Sequence, residues 1–463
     1  MKIASNISRY ALIALTLLFI GFLIIKSMSP ATQETSPDIQ FGDAQKTVDD
    51  PKPKWSGKLN KKKHKTGVWT LVAPDGQKLA IANYVDDDLN GSYLKFYPNG
   101  RKKSQGTYKA NLLTGEFSSY YDNEANSLSS KGHFTKGHKV GKWQQWSIHN
   151  NLTSVVYYKA GLKHGSLISY VNEKQYRVYQ YRMGVLNGTM RKYSMSNPGK
   201  VTQQGLYKNG KQEGLWQTWT SDGKQLRVTS QYQSGSLNGL MIKYNERGLK
   251  WKTWTYRNHK LNGPYIEYLP GKRNHIITTG QFLNGNRSGI WKSKYRTGKV
   301  WTITPYLKDN IHGIVTQYYT NGRLWKKVSY KNDKRSGEYI VYSNTRTSRK
   351  LLSGQYENNL MHGKWTYWYP DGKSINNVVL YNKGVKHGFS IRYYPSGRQW
   401  EKSEYTADAL NGVHIEYYDD PRKTKKVLGH YKQDDRIGKW TYWNYKGKLT
   451  ETIIHKEKEK TAL

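Results

Sequence analysis

A glycine returns every 23 to 26 residues along most of this chain. The anchors are Gly67, Gly91, Gly115, Gly141, Gly165, Gly188, Gly214, Gly239, Gly263, Gly289, Gly313, Gly337, Gly363, Gly388, Gly412 and Gly438. Each glycine inside a helix would cost roughly 1 kcal/mol against alanine, so a chain punctuated this often cannot build long helices. No stretch after Trp55 has a sustained period of 3.6. Internal repetition therefore sets the architecture, not length.

Around the anchors the residue types recur. An aromatic stands seven residues before the anchor in fifteen of the sixteen repeats, as at Tyr84, Tyr108, Phe134, Tyr207, Phe282, Tyr356 and Tyr431; Asn60 is the exception. Another stands five residues after it in fourteen, as at Phe96, Trp146, Tyr244, Tyr318 and Trp368; Val72 and Lys294 are the exceptions. Four residues before the anchor stands Gly, Asn or Asp in fourteen, as at Gly137, Gly210, Asp309 and Asn359. Those types tolerate positive φ and mark a turn. A second turn follows each repeat, as in Pro98-Asn99-Gly100, Asp222-Gly223 and Pro370-Asp371-Gly372. Each unit reads strand, turn, strand, turn. The expected fold is all-β: an elongated, single-layer, twisted antiparallel sheet of tandem hairpins over 55–454, a strip of roughly 150 Å at one strand per ~4.8 Å.

A longer period lies on top. Every third anchor opens G-x-W, with Trp69 first and then the pairs Gly141/Trp143, Gly214/Trp216, Gly289/Trp291, Gly363/Trp365 and Gly438/Trp440. These last five also carry a glycine nine residues before the anchor: Gly132, Gly205, Gly280, Gly354 and Gly429. With the turn centred between the fourth and third residues before the anchor, two pairings follow. The early aromatic faces its own anchor glycine, and the early glycine faces the Trp, whose ring covers it.

Ahead of the repeats, Lys2 and Arg9 precede an apolar run from Tyr10 to Ile25 that Lys26 closes. Sixteen helical residues span ~24 Å, a short membrane crossing that a snorkelling lysine can complete. The expectation is a signal anchor in 1–28, N-terminus in the cytoplasm, with the repeats outside the cytoplasmic membrane. The alternative is a cleaved signal peptide and a secreted product. Residues 29–54, rich in Ser, Thr, Pro, Asp and Gln, read as a flexible tether, and 455–463 as a frayed tail.

The formal charge is +42. Residues 1–54 hold six Lys/Arg and five Asp/Glu, so the repeats carry nearly all of it. Such a field draws anionic partners: lipid headgroups, acidic polymers or an acidic protein. Basic runs recur in turns and strands, and Arg101, Lys102, Lys103, Lys326, Lys327, Lys425 and Lys426 are the candidate contacts. Tyr (39) and Trp (16) outnumber Phe (8), as suits half-wet surfaces. There is no cysteine, which removes disulfides and thiolate chemistry.

Catalytic signatures are missing: no nucleophile elbow, P-loop or dinucleotide fingerprint occurs. His164, His312, His362 and His387 each precede an anchor, but they fill one slot in separate repeats, too far apart to share a metal. The acids, as in Asp86-Asp87-Asp88 and Asp434-Asp435, read as turn chemistry. No catalytic residue, cofactor or metal is expected. Basic residues interleaved with aromatics also describe a nucleic-acid or glycan face, although the exported placement argues against nucleic acid.

The stretches from Tyr207 through Gly214-Leu215-Trp216, and from Tyr356 through Gly363-Lys364-Trp365 to Gly372, resemble the MORN repeat, especially its bacterial variant in YwqK-type antitoxins. The resemblance covers about residues 60–460. It implies an elongated hairpin sheet used for protein or lipid contact and no catalytic residues. The expected function is a non-enzymatic, membrane-anchored scaffold in the cell envelope that binds an anionic surface or a partner protein. An antitoxin that masks a toxin is the alternative.

Overall fold

The computed structural model of the protein describes residues 52–456. The expected anchor over 10–25, nearly all of the tether and residues 457–463 lie outside the described residues. Among the described residues every regular element is a β-strand, and none forms a helix long and apolar enough to cross a membrane. The chain divides into two compact units at Ser236/Leu237. Within each unit, successive strands pair antiparallel with their sequence neighbours, as Asp88–Phe96 does with Lys102–Lys109 and Lys326 does with Val341 in the second unit.

The hairpin turn sits one residue earlier than the sequence suggested. In the repeat of Gly115, Tyr108 pairs with Leu113 and Lys109 with Leu112. The turn between them is Ala110-Asn111, with φ of 47° and 63°. Two successive residues of positive φ make the mirror-image turn whose twist matches the strands. The slot four before the anchor is its second residue, as at Asp87, Asn111 and Gly137. The slot five before takes ordinary residues such as Ala110, Lys136 and Met183. In other repeats Asn209, Asn258, Asn284, Asn332 or Asn358 fills that slot, so the sequence signals the turn in some repeats and not in others.

Farther from the turn the ladder slips. Thr107 pairs with Thr114, but Gln105 pairs with Ser118, a shift of two residues around the anchor glycine. Two consequences separate the sequence-derived pairings. The early aromatic does not face its own anchor; Tyr108 faces Gly91, the anchor of the preceding repeat, and Phe134 faces Gly115. The Gly–Trp relationship survives, because beyond the slip the register regains the expected value. A Cβ at Gly132, Gly205, Gly280, Gly354 or Gly429 would run into the indole of Trp143, Trp216, Trp291, Trp365 or Trp440 respectively. The anchors beside those Trp residues, with φ of 63–67°, have open space where a Cβ would stand. Glycine is required there by backbone conformation alone.

The core of each unit is a row of rings on one face of the sheet. Trp143, Trp216, Trp365 and Trp440 are buried, and Trp291 is half-buried. Each meets the early aromatic of its own hairpin edge to face, as Phe134 meets Trp143 (5.1 Å, 84°) and Tyr356 meets Trp365 (5.0 Å, 82°). Four of these indoles donate to the carbonyl eight residues before the anchor, as Trp365 Nε1 does to Gln355 at 3.1 Å. Trp216 Nε1 has no such partner.

Repeats are stitched together at their turns. Where the second turn residue is Asp or Asn, its side chain accepts an N–H from the preceding repeat while its own N–H donates back. Ile311 N donates to Asp333 Oδ1 at 2.7 Å, and Asp333 N to Ile311 O at 3.0 Å. The acids of Asp86-Asp87-Asp88 and Asp434-Asp435 enter this system: Asp87 and Asp434 accept from Lys65 N and Leu410 N. At the opposite end of the hairpins a tyrosine six after the anchor reaches the next repeat. Tyr97, Tyr121, Tyr295, Tyr319, Tyr369, Tyr394 and Tyr418 each donate to the carbonyl of the residue five after the following anchor, at 2.6–2.9 Å.

Candidate anionic-ligand interface

The second turn of each repeat is followed by an extra residue. Phe96 pairs with Lys102 and Lys95 with Ser104, so Lys103 is left opposite nothing. This bulge recurs between the fourth and fifth residues after the anchor, for instance at Gln317/Tyr318 and Glu416/Tyr417. A bulge re-aims its side chain, and here it gathers basic and aromatic groups.

In the first unit the result is a groove of about 280 Å³ lined by Tyr93, Lys95, Tyr97, Lys103, Tyr108 and Phe117, with serines between them. Lys103 Nζ sits 5.2 Å from the Tyr97 ring centre, and Lys102 Nζ is 5.4 Å from that of Tyr120. Burial, and then the charge of Lys103, push the Lys95 ammonium below its usual pKa. Burial, and then Tyr93 and Tyr84, raise the Tyr108 phenol to about 12, so it stays a neutral donor. Two ammonium groups that disfavour each other in a partly desolvated aromatic groove favour an anion between them.

The other sequence-derived contacts are differently placed. Arg101 lies 3.4 Å from Asp122. Lys102 Nζ donates to Gln105 Oε1 at 3.1 Å. Lys326 Nζ stands 4.5 Å from the Trp325 ring centre, its pKa lowered by burial and then by Arg335. Lys327 is half-buried on the same strand, facing Thr316 across the ladder. Lys425 is exposed, whereas Lys426 donates to Glu416 Oε2 at 3.0 Å. Within the second unit, Lys326-Lys327 and Lys425-Lys426 lie on strands separated by several hairpins and form separate patches. Lys95, which the sequence reading passed over, completes the groove. It stands four residues after its anchor, on the face of the core rings, and that parity was the available signal.

The flagged histidines also scatter. His164 Nδ1 receives Met183 N at 3.4 Å, His312 Nδ1 lies 3.1 Å from Asn332, and His362 Nδ1 lies 3.7 Å from Glu357. Another histidine is more notable. Ser403 Oγ is 2.8 Å from His414 Nδ1, and His414 Nε2 is 3.4 Å from Glu416. Hydroxyl, imidazole and carboxylate thus line up, but Ser403 is fully buried and also donates to Glu401 at 2.8 Å. His414 stacks on Trp440 (5.7 Å, 29°). No substrate can reach that hydroxyl, and the set is core. Ser403 and His414 occupy the slots that Gly354 and Trp365 fill elsewhere; the smaller ring leaves space for the serine side chain.

Three segments of the chain, 89–110, 311–332 and 361–376, match the MORN repeat variant. A comparison with the curated proteins finds no match. Among solved structures the chain is similar to the crystal structure of TcdB2-TccC3-TEV, at 11% identity and a TM-score of 0.15, over 82% of this chain and 22% of that one. It is also similar to the structure of the Photorhabdus luminescens Tc holotoxin pore, at 10% identity and a TM-score of 0.14, over 86% and 28%. The chain spans less than a third of the length of these structures, and neither likeness bears on what it binds.

Proposed function

We propose that this chain of MORN-variant repeats is a non-enzymatic scaffold, anchored in the cytoplasmic membrane by residues 10–25, whose repeats face outward and bind an anionic envelope surface or a partner protein. The observation that carries the reading is the Lys95–Lys103 groove, where two basic side chains share a partly buried aromatic lining. Many such weak contacts on a tethered sheet add up, because tethering raises the effective concentration. Each basic residue near an anionic bilayer contributes about 1 kcal/mol within a Debye length of ~8–10 Å.

The test holds the full chain in neutral nanodiscs and measures its retention on beads coated with phosphatidylglycerol or phosphatidylcholine. Retention on the anionic beads alone, weakening steeply between low and physiological salt, is the expected result. Lys95→Gln with Lys103→Gln should lower it. Equal retention on both coatings would leave the charge as a solubility device.

A further inference from the structure

The bulge slot that holds Lys103 in one repeat of the first unit holds Trp251, Trp301, Trp325 and Trp400 in four repeats of the second. These indoles differ in kind from the core row. Trp365 and Trp440 are 1% and 0% exposed, whereas Trp301 and Trp400 are 43% and 37% exposed. An exposed indole on so polar a chain forgoes the gain of burial. Each of three is instead braced by the tyrosine that stitches repeats together. Trp400 stacks on Tyr394 at 5.6 Å and 25°, Trp325 leans on Tyr319 at 5.9 Å, and Trp301 on Tyr295 at 6.4 Å. Because the hydroxyls of Tyr394, Tyr319 and Tyr295 donate to backbone carbonyls at 2.9, 2.8 and 2.7 Å, the brace is itself fixed. The platforms are therefore rigid before any ligand arrives, which lowers the entropic cost of binding. Cations stand beside them: Lys326 Nζ is 4.5 Å from the Trp325 ring centre, and Arg392, which also pairs with Glu401 at 3.3 Å, is 5.9 Å from that of Trp400.

We infer that the bulge tryptophans of the second unit, Trp301 and Trp400 foremost, are stacking platforms for the pyranose rings of an acidic polysaccharide. A pyranose presents a face of C–H bonds, whose partly positive hydrogens suit the negative face of an indole. Carboxylates on the same polymer suit the neighbouring Lys and Arg. Trp301 and Trp325 occupy consecutive repeats, so their platforms lie on the order of 10 Å apart, two strand spacings. A linear polymer crossing the hairpins meets rings in successive repeats at Trp301 and Trp325, and farther along at Trp251 and Trp400, with basic groups between. This deepens the proposed anionic contact by naming its chemical class, and it rests on that reading for the outward placement that favours a polysaccharide over nucleic acid.

The test uses the full chain in neutral nanodiscs against immobilised polygalacturonate, polyphosphate, poly-deoxythymidine and dextran. Trp301→Ala and Trp400→Ala should each weaken polygalacturonate binding about tenfold, the worth of one aromatic contact, and Trp400→Phe should keep most of it. Polyphosphate binding should stay within about twofold, since it needs charge and no ring. Circular dichroism of each variant checks that the sheet is intact. Equal losses on polygalacturonate and polyphosphate, no loss on either, or a greater loss on poly-deoxythymidine would overturn the inference. Wild-type chain that binds polyphosphate but not polygalacturonate would overturn it and leave the charge reading standing. Binding to neither would sink both.

Discussion

The indole of Trp365 lies across Gly354 and donates from Nε1 to the carbonyl of Gln355 at 3.1 Å. Ring over bare backbone recurs every third hairpin, and the hydrogen bond accompanies it at Trp143, Trp291, Trp365 and Trp440. Trp365→Ala should cost about 3–5 kcal/mol, as expected for emptying a packed aromatic site. Gly354→Ala should cost ~1–3 kcal/mol by overpacking. Because repeats interact mainly with their neighbours, hydrogen exchange should quicken in the strands around 350–368 and stay unchanged far away. Loss of protection throughout would show that the unit unfolds as one.

Ser403 and His414 are the polar version of the same pair. Replacing His414→Trp alone should destabilise, because the indole would meet the Ser403 side chain. Adding Ser403→Gly should restore the stability, giving a double-mutant coupling of about 1–3 kcal/mol. Additive effects in denaturant titrations would mean that the two slots do not pack against each other.

Glu416 gives a pH dependence with a definite sign. The hydrogen bond from His414, followed by that from Lys426, lowers its pKa from 4.5 to about 2. The folded state therefore holds the carboxylate more strongly than the unfolded chain does. Its stabilisation is present above about pH 4.5 and is lost as the pH falls towards 2. Protection of strands Ala409–Tyr417 and Lys425–Lys432 should fall across that window, and Glu416→Gln should flatten the dependence. An unchanged profile in Glu416→Gln would assign the acid response to another group.

Asp333 separates two uses of a turn residue. It sits at φ 63° and accepts Ile311 N at 2.7 Å. Asp333→Gly keeps the conformation and loses only the bond, about 1 kcal/mol. Asp333→Ala loses both and should cost roughly 1–2 kcal/mol more. Equal costs in thermal unfolding would make the backbone conformation irrelevant.

The placement of the chain is open to a direct measurement. A retained anchor over 10–25 should hold the protein in the membrane through high-salt washing, and a reporter fused after Leu463 should be active outside the cytoplasm. A soluble form beginning near residue 32 would show cleavage.

The sequence by itself determined the strand–turn period, the likeness to the MORN repeat and the covering of Gly132 and Gly354 by Trp143 and Trp365. Each of these is local and alternates with the period of two that strands impose. The acids of the turns were legible for the same reason, since Asp and Asn announce positive φ. Only the tertiary structure decided which ring faces which anchor. That depends on where the ladder slips, and the slip follows from a turn whose first residue can be Ala110, Lys136 or Met183, types that give no warning of φ near 47–49°. It also divided the tryptophans into the buried row of Trp365 and the exposed row of Trp301 and Trp400. Indole chemistry is the same in both; an extra bulged residue in the strand turns one row away from the core.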